Sequence, residues 1–455
     1  MLSSTISRRT YQPTSPTMQQ HGLTVVTEIL PEMESDLKDI LNEIGHDIDE
    51  NPHLHFYHLD SVHFLRWVIV PATTVRGNEL PAQLVLSTNY DGPLDDHLLE
   101  IAEKENKGIR KVYTHCKGFP TDPNPEIIAA WLKKHGKRNA AFYVGTVGKS
   151  QPQIKAEHQL REKIETDLQH RYPAQDWSGK SAGEWRAEIR SRLEEDEQTP
   201  FWKKKHHDTF LQNWGMVLLI GGVFALLAAM VIAWIYIPVW SAISSVLVVG
   251  FFAFWFWRLR VLEKRDAAAF VPYANVSAEI LKMNKREDYR VQNQITHLVT
   301  IKPGWVRQFA LRTVLFLINI LARTMFNKGN LAGIRSIHFA RWVILDGGKR
   351  LLFFSNYDGS WESYLGEFID RAAVGLTGVW SNTEGFPPTT GLVKAGARHS
   401  IEFKAWVRKQ QIETQVWFSA YKTISVENVN NNTSIRNGLT GQLTASGSRD
   451  WLQKL

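Results

Sequence analysis

Apolar and polar positions alternate in short stretches of this chain, and these predict strands at Leu23–Ile29, around His63, at Gln83–Asn89 and at Ala140–Thr146. Helices are predicted over Met33–Ile44 and from Pro93 to about Asn106, with Pro93 in the first turn and Asp91 capping nearby. The same order returns later. Strands fall near Thr296–Ile301, Ile337–Leu345, Leu351–Ser355 and Gln415–Ser419. The helix after Gly359 places Trp361, Tyr364, Leu365, Phe368 and Ile369 on one apolar face.

Between the two sets the pattern loses its polar positions. No Asp, Glu, Lys, Arg or His occurs from Thr209 to Trp257. A spanning helix needs about 20 apolar residues. This stretch holds two, Trp214–Tyr236 and Val239–Trp257, broken near Pro238. Aromatic residues gather at their ends, as at a bilayer interface. Lys203, Lys204 and Lys205 precede the first span, and Arg258, Arg260, Lys264 and Arg265 follow the second. The positive-inside rule then expects two spans, with both termini and both soluble parts cytoplasmic. No ionisable residue lies inside the spans, which argues against a proton relay or ion pathway.

Three motifs occur twice in the same order. His63-Phe64-Leu65-Arg66-Trp67-Val68-Ile69 returns as His338-Phe339-Ala340-Arg341-Trp342-Val343-Ile344. Asn89-Tyr90-Asp91-Gly92 returns as Asn356-Tyr357-Asp358-Gly359, and Gly118-Phe119-Pro120 as Gly385-Phe386-Pro387. The spacing from Asp91 to Pro120 equals that from Asp358 to Pro387, so a duplication is expected. A weaker match pairs Leu160-Arg161 with Ile435-Arg436. The order β-α-β-β-α-β is that of a ferredoxin-like unit. The expected fold class is α+β: two ferredoxin-like repeats forming an intramolecular α+β barrel, plus a two-helix transmembrane hairpin. In this it resembles the dimeric α+β barrel superfamily, which includes dye-decolourising peroxidases, chlorite dismutases and small monooxygenases. The two motifs are also similar to a module associated with peroxidase neighbourhoods. The resemblance covers the repeats and not the hairpin. The Gly-x-x-Asp-Gly haem motif of dye-decolourising peroxidases does not occur.

The expected organisation is a disordered tail over 1–20, repeat one over 21–150 and a charged helical linker over 151–207. The hairpin over 208–260, repeat two over 261–427 and a disordered tail over 428–455 complete it. Ser181 and Glu184 fit a capping box that opens a linker helix to about Asp196. Within repeat two, residues 305–326 form an apolar helix whose Gln308, Arg312, Asn319 and Arg323 fall on one narrow stripe. Arg312 and Arg323 leave no run long enough to cross a bilayer. The helix is expected to lie in the membrane interface, or to be buried between barrel and hairpin.

Side chains able to do chemistry are few. Alternation on a strand puts His63 and Trp67 on one face and Phe64, Arg66 and Val68 on the other, and the second copy likewise. With the arginine face inward, Arg66 and Arg341 would approach each other and suit a carboxylate, such as a fatty acid or haem propionate. Otherwise each arginine would pair locally with Asp91 or Asp358. With the histidine face inward, His63 or His338 would be candidates to ligate haem or a metal. Asn89, Tyr90, Asp91 and their counterparts Asn356, Tyr357 and Asp358 form a strand-to-helix corner beside them. His53, His55 and His58 cluster but have no counterparts in the second copy, so no metal site is assigned. The single cysteine, Cys116, excludes an internal disulfide and a cysteine-based zinc site. The net charge of +7 gathers partly beside the hairpin, and no nucleic-acid-binding motif occurs, so nucleic acid is not an expected partner. The expected function is a membrane-anchored, cytoplasm-facing module that binds an apolar acidic ligand (a lipid or fatty acid) or a protein partner. The alternative is a haem-dependent, peroxidase-like oxidoreductase, or the partner of a redox or peroxidase protein.

Overall fold

A computed structural model describes residues 19–172, 179–195, 200–271 and 290–455. The expectations for residues 1–18, and the end of the capping-box helix near Asp196, lie outside them. The chain is a mixed α/β protein with antiparallel sheets, and it divides into two compact units.

The larger unit contains Gln20–Val147 and Phe210–Val426. Its strands are β1 (Gln20–Glu28), β2 (Val62–Val70), β3 (Gln83–Asp91), β4 (Asn139–Val144), β5 (Gln292–Thr300), β6 (Ile337–Leu345), β7 (Arg350–Asp358) and β8 (Val416–Ser419). One sheet has the order β8-β2-β3-β1, edged by Gly136–Lys137, and the other β4-β6-β7-β5. The last strand of each segment therefore joins the sheet of the other: Trp417 pairs with Arg66, and Phe142 with Arg341. Val26, Val68, Val70 and Val85 of one sheet pack against Val343, Leu345, Leu352 and Phe354 of the other. The outer faces carry helices. On one, Trp67, Tyr113, Phe119 and Trp131 pack ring to ring; on the other, Trp342, Trp380, Phe386 and Trp406 lie among the buried core residues. Gly92 and Gly359 turn out of β3 and β7 at φ 83° and 81°, where a side chain would be strained.

Three helices are long and apolar enough to cross a membrane: Phe210–Tyr236, Pro238–Ala269 and Trp305–Thr324. The first two meet at Ile237, whose φ of −132° and ψ of 58° break the helical path. Along their length they do not pack on each other closely at their glycines. A Cβ on Gly221, Gly222 or Gly250 would meet nothing within 4 Å. The third helix buries Leu311, Leu315 and Ala322 against the second sheet and its helices. It buries Val306 and Ala310 against Trp255 and Leu259 of the hairpin.

The smaller unit contains Gly148–Thr209 and Glu427–Leu455. Helices Gln151–Arg171, Ala182–Glu195 and Ala445–Leu452, with Val426–Leu439, share a core of Leu160, Ile164, Trp185, Ile189, Ile435 and Trp451 among others. The expected capping box is present: Ser181 N donates to Glu184 Oε2 at 2.7 Å, and Glu184 N to Ser181 Oγ at 3.3 Å. The tail after Asn428, expected to lack structure, is instead two helices. Its asparagines bond across the unit, with Asn437 Oδ1 accepting from His206 N at 2.7 Å and Asn431 Nδ2 donating to Lys454 O at 2.6 Å.

Candidate functional site

The recurring motifs meet between the two sheets. Strict alternation fails in both at the histidine. β2 and β3 pair Val62 with Tyr90 and then Phe64 with Asn89, so His63 is an extra residue. β6 and β7 pair Phe339 with Asn356 and then Ile337 with Tyr357, so His338 is extra in turn. Such a bulge re-aims a side chain. It turns His63 to within 5.3 Å of the Phe339 ring and His338 to within 5.3 Å of Phe64, centroid to centroid. The expected separation of histidine and arginine onto opposite faces is thus corrected: both look into the space between the sheets.

Residues of like position touch at the centre. The Phe64 and Phe339 rings are 5.8 Å apart, and Asn356 Nδ2 donates to Asn89 Oδ1 at 3.0 Å. Arg66 crosses to the opposite sheet and donates to Gln294 Oε1 (2.7 Å), Ile295 O (2.9 Å), Thr296 Oγ1 (3.1 Å), Ser355 O (3.0 Å) and Asn356 Oδ1. Arg341 crosses the other way to Thr88 O (2.8 Å) and Ser87 Oγ, while its buried Nε has no partner among the described residues. Both guanidiniums lie over the Phe354 ring, 5.1 and 5.4 Å from its centroid. Burial and then the neighbouring Arg341 hold Arg66 well below the usual arginine range, and burial brings Arg341 down to about 9.

The aspartates do not pair with these arginines, as the local reading expected. Asp91 Oδ1 lies 2.9 Å from His63 Nε2, and Asp358 Oδ1 lies 2.7 Å from His338 Nε2. Nor does Asp91 cap the following helix, whose N-cap Pro93 has no side-chain bond. A carboxylate only accepts, so each Nε2 carries a proton. In the neutral ring His63 Nδ1 then accepts from the Tyr421 hydroxyl at 2.8 Å. Burial holds that hydroxyl well above the usual phenol range. His338 lacks the matching bond: Gly145 N donates to His338 O as Ala420 N donates to His63 O, so Thr146 stands where Tyr421 does, and among the described residues His338 Nδ1 and Thr146 Oγ1 are both buried without partners.

Tyr90 and Tyr357 are stacked on helices, Tyr90 on His97 at 3.9 Å and Tyr357 on Tyr364 at 3.8 Å. Tyr421, Gln294 and His97 belong to the network but were not singled out from sequence. Tyr421 has no repeated counterpart, and Gln294 lies in no motif.

No protein-family model, curated protein or solved structure matches this chain.

Haem would need a free axial nitrogen with open space beside it. His63 uses both nitrogens, and His338 is fully buried against Phe64. Neither fits. Among the described residues no three His, Cys, Asp or Glu are grouped to hold a metal ion. His53 pairs with Glu43 at 3.0 Å, apart from the two motif histidines.

Of the membrane-facing residues expected from sequence, Arg312 and Arg323 are exposed. Asn319 turns inward, its Oδ1 accepting from Phe142 N of β4 at 3.3 Å.

Proposed function

We propose that the chain is a membrane-anchored binding module, built as an intramolecular α+β barrel of two ferredoxin-like repeats, with no chemistry of its own. Its ligand is an apolar acid, a fatty acid or lipid; a protein partner is the other occupant of the same class. Arg341 carries this reading. It is a fully buried guanidinium 5.4 Å from the Phe354 ring centroid, with an Nε unpartnered and no contacting carboxylate among the described residues. A carboxylate supplies what that nitrogen lacks, and an alkyl chain suits the apolar core between the sheets. The haem alternative finds no axial ligand in His63 or His338.

The anchor is read as two spans plus one helix lying along the membrane surface. Trp305–Thr324 is about 30 Å long at 1.5 Å per residue. At its start the Trp255 indole donates to Val306 O at 3.3 Å; at its end Gly215 packs on Thr324, where a Cβ would stand 2.8 Å from the backbone. Trp255 and Gly215 both lie at the charged ends of the hairpin. They are about 27 and 33 Å from the Ile237 turn. A third span beside the hairpin would bring one end of the helix near that turn. Orientation follows the basic flanks, which favour the cytoplasmic side for both soluble parts.

The test is an absorbance spectrum of detergent-purified protein together with mass spectrometry of its extracted ligands. Colourless protein carrying fatty acid or lipid near one per chain, reduced in Arg341→Met, is expected. A Soret band at near one haem per chain contradicts the proposal.

A further inference from the structure

The stripe expected on Trp305–Thr324 is divided by the fold. Asn319 accepts from Phe142 N, and Gln308 Nε2 donates to Gly348 O at 2.5 Å, so both face protein. Arg307 of the same helix is buried and paired with Asp266, and Lys302 just before it bonds Asp266 at 2.8 Å. Only Arg312 and Arg323 point away, and neither has an acidic partner among the described residues. At 100° per residue they share the exposed face with Trp305, Phe309 and Phe316, of which Phe316 is 61% exposed. Cations set among exposed aromatic rings match the boundary between headgroups and acyl chains, where rings bury shallowly and arginines reach phosphate. In the hydrocarbon core the same two charges would be costly.

We infer that this face binds anionic phospholipid headgroups in the leaflet where the hairpin ends, with Arg312 and Arg323 as the two cationic contacts. The inference rests on the in-plane reading of this helix. The arginines are eleven residues apart, about 16 Å along the axis, so each takes a separate headgroup. Arginine suits phosphate because its planar fork donates two parallel bonds. The face is continuous with the hairpin, because Phe309 packs on Phe251 and Trp255 at 5.7 and 5.1 Å. The lipid contacts therefore extend the anchor already in place.

The test uses the full chain in detergent with equal amounts of phosphatidylglycerol and phosphatidylcholine, and reads the ratio of retained lipids by native mass spectrometry. The wild type should favour phosphatidylglycerol, with about a five-fold contribution from each arginine. R312Q/R323Q should lose most of that preference, the basic flanks of the hairpin keeping the remainder, while R398Q, an exposed arginine elsewhere, should behave as wild type. A nitroxide on Phe316→Cys in a Cys116→Ala background, in phosphatidylcholine nanodiscs, should report a shallow position in the bilayer. A shallow label with lipid ratios unchanged by R312Q/R323Q overturns the inference and leaves the in-plane helix standing. A label in water removes the in-plane reading and the inference with it.

Discussion

Arg66 and Arg341 hold corresponding positions but are bound unequally. Arg66 donates five hydrogen bonds, whereas Arg341 donates two and leaves Nε open. Truncating a buried donor leaves its acceptors unsatisfied at roughly 1–3 kcal/mol each. Arg66→Ala should therefore lose at least about 3 kcal/mol of stability in chemical unfolding, and Arg341→Ala clearly less; equal losses would show that the bonding difference is not real. Two buried histidines set the pH response. Burial brings His97 and His297 down to about 3 from an ordinary value of 6.5. The unfolded chain takes up these protons below pH 6.5 and the fold does not, so stability is intact above 6.5 and falls as pH drops towards 3. The slope is up to about 1.4 kcal/mol per pH unit for each histidine. Among the described residues His297 has no partner for either nitrogen, and it sits edge-on to Trp380 and Trp406. His297→Phe should keep or raise stability at neutral pH and flatten the acid slope; a loss at pH 7 would show that the imidazole bonds something. The motif residues were legible because they recur. Tyr421 and His297 were not, because each breaks the repetition and its role depends on contacts distant in sequence.

Strands were legible to within a few residues because they are short apolar runs, and the central ones are buried on both faces: every residue of Val62–Val70 is buried. The bulges at His63 and His338 were not, since one extra residue leaves no mark in an apolar run. The exchange of β4 and β8 between sheets was equally hidden: pairing partners far apart in sequence are set by the whole fold. In the tail, asparagine-rich composition suggested disorder, and the weak match of Leu160-Arg161 with Ile435-Arg436, which counted only towards the duplication, did not reveal that the two segments pack together. Leu160 and Ile435 share one core, and Arg436 reaches Glu157 at 2.9 Å with both buried. Removing residues 440–455 takes Trp451 from this core. Limited proteolysis of the shortened chain should cut within Gln151–Glu195 at least ten-fold faster, as expected when about 3–5 kcal/mol of core packing is lost; unchanged protection would show that the tail helices add nothing. Gly215 packs closely on Trp305–Thr324, where a Cβ would stand 2.8 Å from the Thr324 backbone. Gly215→Ile should force these helices apart and lower the melting temperature in detergent; an unchanged value would mean that the contact is not formed.

At the scale of the molecule, membrane association was plain in the sequence because charge is absent from Thr209 to Trp257. How a third apolar helix lies was not, because length and composition allow it to span while its arginines resist that. The arrangement has a direct consequence for sidedness. Two spans place Ile127, before the hairpin, and Ile401, after Trp305–Thr324, on the same side of the membrane. Three spans place them on opposite sides. Both residues are exposed, at 42% and 80%. The deciding measurement is labelling of single cysteines at Ile127, Ile401 and Ile237, in a Cys116→Ala background, with an impermeant maleimide on sealed vesicles of known orientation. The account predicts that positions 127 and 401 react only from the cytoplasmic side and position 237 only from the other. Labelling of 127 and 401 from opposite sides would contradict it.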